Sequence, residues 1–176
     1  MITLILILLS LAIFVAYNVF ACVKWGVPSS LSTTYYSLPT GWRWIFTLFM
    51  WTIALLLMPA WIEVANSFGD WRVHLRFLAF LTCGLLCFVG VAPNFRAFEM
   101  ESKVHTISAT ASAVTALLWC LICGYQIIYV PLSAAALCLA IAYSTKTLKS
   151  CKVYWLEMMA FVATYSTVLI CASVWW

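Results

Sequence analysis

A chain of 176 residues that is 66% hydrophobic and 8% charged, with a formal net charge of +4, lies far from a soluble domain, which carries roughly 45–50% apolar and about 25% charged residues. A water-soluble globule of this length cannot hide so much apolar surface; in a bilayer, lipid itself becomes the solvent. The apolar runs are continuous, which excludes a transmembrane barrel, whose strands alternate apolar and polar residues.

A membrane-crossing helix takes roughly 20 mostly apolar residues. The sequence therefore predicts a single all-α domain over residues 1–176, a polytopic transmembrane bundle of about six spans joined by short loops. Span one covers residues 1–23 and lacks the basic leader of a signal peptide. A turn-rich loop with Pro28, Pro39 and Gly41 follows. Span two covers 44–61, with Pro59 near its end, and Glu63, Asn66, Gly69 and Asp70 fall in loop two. Span three covers 75–91 and stops before Pro93 and Asn94. Loop three carries Arg96, Glu99, Glu101 and Lys103. Spans four and five cover 105–123 and 126–143, the latter holding Pro131, and span six covers 153–176.

Basic residues in short loops mark the cytoplasmic side. Lys24, Arg43, Arg96, Lys103, Lys146, Lys149 and Lys152 fall in or beside loops one, three and five; only Arg72 and Arg76 fall in loop two. This predicts cytoplasmic odd loops and both termini outside. Trp25, Trp42, Trp44, Trp61, Trp71, Trp155, Trp175 and Trp176 lie near span ends, the place of an interfacial aromatic belt. Six of the eight cysteines sit inside apolar runs and read as packing residues. Cys120 and Cys123 have redox or metal spacing but no second pair.

Polar groups inside a bilayer are costly, so each needs a reason. In span four, His105, Ser108, Ser112, Thr115 and Trp119 share one helix face; in span six, Glu157, Ala160, Thr164, Thr167 and Cys171 do the same. Small and hydroxyl side chains in such stripes serve close helix packing, and Gly84, Gly90, Ala109 and Ala113 read in the same way. Glu157, about one turn inside span six, has to find a donor, reach the interface or take up a proton. It is satisfied either by Lys152 or Tyr154, or by a polar pocket shared with His105 between spans four and six. Loop one, dense in hydroxyls from Ser29 to Tyr36, and loop three lie on the same side. The candidate ligand-binding set is therefore His105, Glu157, Arg96, Asn94, Ser32, Tyr35, Glu99 and Glu101, arranged for a polar headgroup; the alternative is an ordinary solvated loop. Glu63, Asn66, Asp70, Arg72, His74 and Arg76 read as a solvated turn with local ion pairs.

A catalytic zinc usually needs three protein ligands, mostly His. The two histidines, His74 and His105, fall on opposite faces of this topology, so no metal or other cofactor is expected. A triad of Ser32, His105 and Glu157 lacks a nucleophile elbow. No reaction and no nucleic-acid motif is legible.

Two local patterns carry a resemblance. Pro28-Ser29-Ser30-Leu31-Ser32-Thr33-Thr34 follows span one, and Val104-His105-Thr106-Ile107-Ser108-Ala109 enters span four. In these the chain resembles the DRAM/Frag/Sfk group of six-span membrane proteins and related bacterial six-span families. Pro28, Ser32 and His105 are the matching positions, and Thr33 stands where the group has an acidic residue. That group places loop one on the non-cytoplasmic side, opposite to the basic-residue count. The resemblance implies a six-span plan and a role close to membrane lipids: remodelling, organising, or supporting a partner enzyme.

The leading expectation is a lipid-interacting membrane protein with a headgroup pocket on the odd-loop face, its partners being membrane lipids. A small proton- or solute-coupled transporter or channel is the alternative. A structural or regulatory subunit held by another membrane protein, or by copies of itself, is a third.

Overall fold

The computed structural model describes residues 1–91 and 99–174, and the side chains of these except 99–102. Seven helices form the described chain: α1 (Ile2–Trp25), α2 (Thr34–Ser37), α3 (Trp44–Asn66), α4 (Arg76–Val91), α5 (Glu99–Cys123), α6 (Tyr129–Ser144) and α7 (Lys152–Val174). No strand occurs among the described residues. The fold is an all-α bundle, as the continuous apolar runs require. Five segments are long and apolar enough to cross a bilayer: Ile2–Trp25, Thr40–Asn66, Trp71–Val91, Lys103–Cys123 and Lys152–Val174. The protein is thus an integral, multi-pass membrane protein. Helix α6 is apolar but has only 16 residues, about 24 Å of rise against a hydrocarbon core of about 30 Å.

Local chemistry explains where the helices begin and end. Helix α1 stops at Gly26, whose φ of +77° suits glycine alone among common residues; its N–H bonds the Cys22 carbonyl at 2.9 Å. Helix α3 runs through Pro59 to Asn66, so Glu63 and Asn66 lie in its last turns rather than in a loop. Pro131 is the third residue of α6, within the first turn, where backbone N–H groups lack helical partners in any case. Helix α5 begins at Glu99, six residues before the expected start of span four.

The bundle is built from neighbouring pairs: α3 packs against α1 and α4, α4 against α5, and α7 against α6, α5 and α1. Loop one and the start of α7 meet at one end of the bundle. There the Tyr154 N–H bonds the Ser29 carbonyl at 3.1 Å, and the Cys151 thiol bonds the Val27 carbonyl at 3.3 Å. At the opposite end, Arg72 reaches the Cys123 carbonyl at 3.4 Å and is buried. Helix α6 starts beside this second end, after Cys123, and leads to the first, before Cys151.

The core joins Phe14, Phe46, Phe49, Trp61, Trp119 and Tyr165 with smaller apolar side chains. Trp42, Trp44 and Trp71 are exposed at helix ends, as a belt requires, but Trp61 and Trp155 are buried. Trp61 instead stacks edge-to-face on Trp119, with centroids 5.2 Å apart. The two small-residue stripes do face inward: Ser108, Ser112 and Trp119, and Ala160, Thr164, Thr167 and Cys171, are all buried. Glycine roles diverge. A Cβ on Gly90 would meet the Met50 Cβ at 2.9 Å, whereas one on Gly84 would meet nothing within 4 Å. Gly90 therefore serves helix approach and Gly84 does not. The eight cysteines are free thiols, and Cys83, Cys120, Cys123, Cys138, Cys151 and Cys171 are buried.

Candidate functional site

Helices α5 and α7 touch closely near the Arg72 end. There a Cβ on Gly124 would come within 2.7 Å of the Thr167 Cγ2, and the Cys120 thiol lies 4.0 Å from the Thr164 hydroxyl. Nearer the loop-one end a cleft of about 630 Å³, mouth included, lies between them. Its walls are Ala109, Ser112, Ala113 and Ala116 of α5, and Glu157, Ala160, Phe161, Thr164 and Tyr165 of α7. Helices α3 and α4 close it from behind with Phe46, Met50, Leu57, Trp61, Thr82, Leu86 and Val89, and Leu31 and Ser32 border it from loop one. Small side chains on α5 create the space: three alanines and a serine fill positions where a leucine would occupy it. From Phe46 to Trp61 the cleft follows α3 for about 22 Å.

Most polar groups of the lining already have partners. The Ser112 hydroxyl donates to the Thr82 carbonyl at 3.2 Å, and the Thr82 and Thr115 hydroxyls meet at 2.8 Å. Thr164 donates to the Ala160 carbonyl at 2.7 Å. Tyr165 bonds Ser10 at 2.6 Å, and the Ser10 hydroxyl passes its own proton to the Ile53 carbonyl at 2.9 Å. Glu157 differs. Its Oε2 accepts the Leu31 backbone N–H at 2.6 Å, and Oε1 has no hydrogen-bond partner among the described residues. Neither Lys152 nor the Tyr154 hydroxyl serves it, which removes the first of the two sequence expectations; Tyr154 turns to Asn18 at 3.2 Å and to Cys22 at 3.5 Å.

The structure therefore assembles part of the expected set. Glu157 and Ser32 line the cleft. His105 is half-buried on α5, one turn before Ala109, and is not a lining residue. The imagined triad is thus not gathered in the cleft. Tyr35 is buried beneath loop one, edge-on to Phe46 at 6.2 Å with the Arg43 guanidinium 5.4 Å over its ring. Asn94 and Arg96 lie outside the described residues. Glu99 and Glu101 open α5, and their side chains lie outside the description. Among the described residues no group of three His, Cys, Asp or Glu side chains is placed to hold a metal ion.

Loop one is not an open hydroxyl-rich loop. It folds into a tight turn (Leu31–Thr33) followed by α2, and its hydroxyls bond one another. Ser30 and Thr33 form a reciprocal capping box, Thr34 donates to the Leu31 carbonyl at 2.7 Å, and the Tyr17 hydroxyl meets that of Thr34 at 2.8 Å. What loop one offers the cleft is the Leu31 N–H and the edge of Ser32. Sequence reasoning missed Thr82, Tyr165 and Trp61 as lining. The available signal was Ser10, the one hydroxyl in the otherwise unbroken apolar run from Leu4 to Val15, which marks a helix contact.

At the far end, Asp70 caps the Trp71–Leu75 turn and pairs with Arg72 at 2.8 Å. Those hydrogen bonds hold the Asp70 carboxyl below its usual range. Arg72 also stacks on Phe68, 4.4 Å from the ring centroid, so this part of the expected solvated turn is packed rather than open. Comparison with protein-family models, with curated proteins and with solved structures yields no match.

Proposed function

We propose that this protein is a lipid-interacting membrane protein that seats an amphipathic lipid in the cleft between α5 and α7. The observation that carries this reading is the cleft itself: long, walled by apolar and small side chains, and bearing one carboxylate, Glu157, near the end capped by loop one. Apolar walls with a few placed polar groups are the usual make-up of a small-molecule site. The chain of the lipid lies along α3 toward Trp61, and its polar end meets Glu157 and Ser32. A continuous polar path is the alternative, but beyond Thr82, Ser112 and Thr164 the cleft meets Leu57 and Trp61, which favours an acyl chain over water or ions.

In this reading α6 is a sixth, short crossing, the odd loops face the cytoplasm and both termini face outward. The clustering of Lys24, Arg43, Lys146, Lys149 and Lys152 at the end where Val27 and Ser29 meet Cys151 and Tyr154 supports that orientation. The likeness to the DRAM/Frag/Sfk group fits the same lipid-facing role, and Ser32, one of its matching positions, borders the cleft.

The test is native mass spectrometry of the full chain released from a mild detergent. The wild type is expected to carry a lipid-sized adduct. Ala113→Phe, which fills the cleft from its α5 wall, is expected to lose it with an unchanged unfolding midpoint. Equal adduct on both proteins refutes the proposal.

A further inference from the structure

Resting on that reading of the cleft, we infer that the lipid it selects is a single-chain amphiphile whose polar end is an ammonium group rather than an anion. Three observations point there. Glu157 is the one carboxylate on the lining, which holds no Lys, Arg or His. Its Oε2 is occupied by the Leu31 N–H at 2.6 Å, and among the described residues Oε1 has no hydrogen-bond partner. No Lys, Arg or His among the described residues pairs with it. The hydroxyls of Ser112 and Thr164 are bonded to helix backbone and that of Thr82 to the Thr115 hydroxyl, so they have little left to offer an incoming group.

A carboxylate withdrawn from water is stabilised by pairing with an opposite charge and by hydrogen bonds on both oxygens. An ammonium supplies the charge and three donors. Oε1 takes one donor, and the Ser32 hydroxyl, at the same border of the cleft and bonded to the Ser30 hydroxyl at 3.1 Å, keeps a lone pair for another. An anionic head brings like charge against Glu157 and no donor. The selection is therefore made by charge at the loop-one end, and the apolar walls read only chain length.

The experiment adds hexadecylamine, hexadecanol and palmitate separately, at equal concentration, to the detergent-purified full chain and measures adducts by native mass spectrometry. A hydrogen bond to a charged group corresponds to roughly tenfold or more in affinity, so wild type is expected to favour hexadecylamine over palmitate by at least about tenfold. Glu157→Gln keeps an oxygen for Leu31 and is expected to bring the two within about threefold while retaining hexadecanol. Ala113→Phe is expected to lose all three. If hexadecanol binding depends on Ala113 but the amine is not preferred, or the preference survives Glu157→Gln, the headgroup inference falls alone. If none of the three depends on Ala113, the cleft reading falls with it. The amine-to-acid comparison on wild type needs no variant, so poor folding of Glu157→Gln leaves the test intact.

Discussion

The hydroxyl relay at the centre of the bundle makes a directional prediction. The Ser10 proton is committed to the Ile53 carbonyl at 2.9 Å, so in the 2.6 Å contact with Tyr165 the tyrosine is the donor. Tyr165→Phe removes one interhelical hydrogen bond and leaves Ser10 bonded to Ile53. In membrane proteins such a bond averages about 0.6 kcal/mol and reaches about 1.7. Ser10→Ala does more harm. It strands the Tyr165 O–H in a site where that residue is 2% exposed, and an orphaned buried donor costs about 1–3 kcal/mol. In the double variant no orphan remains, so its cost is expected near 1 kcal/mol, the sum of two ordinary lost bonds. The double variant is therefore expected to be more stable than Ser10→Ala alone. The assay is a reversible unfolding titration with dodecyl sulfate in mixed micelles, followed by tryptophan fluorescence, for all four proteins. Tyr165→Phe costing as much as Ser10→Ala, or the two costs adding within about 0.3 kcal/mol, refutes the donor assignment.

The two glycines of α4 are expected to separate in the same titration. Gly90→Ala drives a Cβ to 2.9 Å from that of Met50 and costs about 1–3 kcal/mol, whereas Gly84→Ala meets open space and is neutral or stabilising by up to about 1 kcal/mol. Matching midpoints contradict the close α3–α4 approach. Asp70 is held below its usual range by the hydrogen bonds from Arg72. Its contribution to stability is therefore complete above the unfolded value of about 4 and is lost as pH falls through the lower folded value. Asp70→Asn is expected to flatten the acid limb of a midpoint-against-pH curve, and an unchanged limb removes that role.

Much of the fold was legible because length and apolarity are one-dimensional properties. The inward faces of α5 and α7 were legible too, since Ser112 and Thr164 recur at helical spacing. What the sequence hid depends on separation in space. Glu157 takes its donor from the Leu31 backbone, and a backbone N–H leaves no mark in a residue string. Trp61 sits where a belt residue would sit, but α3 continues five residues past it to Asn66, which puts it in the core. The hydroxyls of loop one look available as a list, yet a capping box and Tyr17 use them. The shortness of α6 also has a physical basis: the Tyr125–Ile127 turn takes Gln126 and Ile127, which the apolar reading assigns to the span.

The clasp between Leu31 and Glu157 joins residues 126 positions apart. At a synthesis rate of about 5–20 residues per second, roughly 6–25 s separate the emergence of the two. For that interval the newly inserted amino-terminal hairpin waits in the bilayer with its Ser10 hydroxyl short of Tyr165. The cleft is therefore completed only once α7 is in place, and a translation stall after α5 leaves a membrane-embedded intermediate whose polar seam other helices can capture.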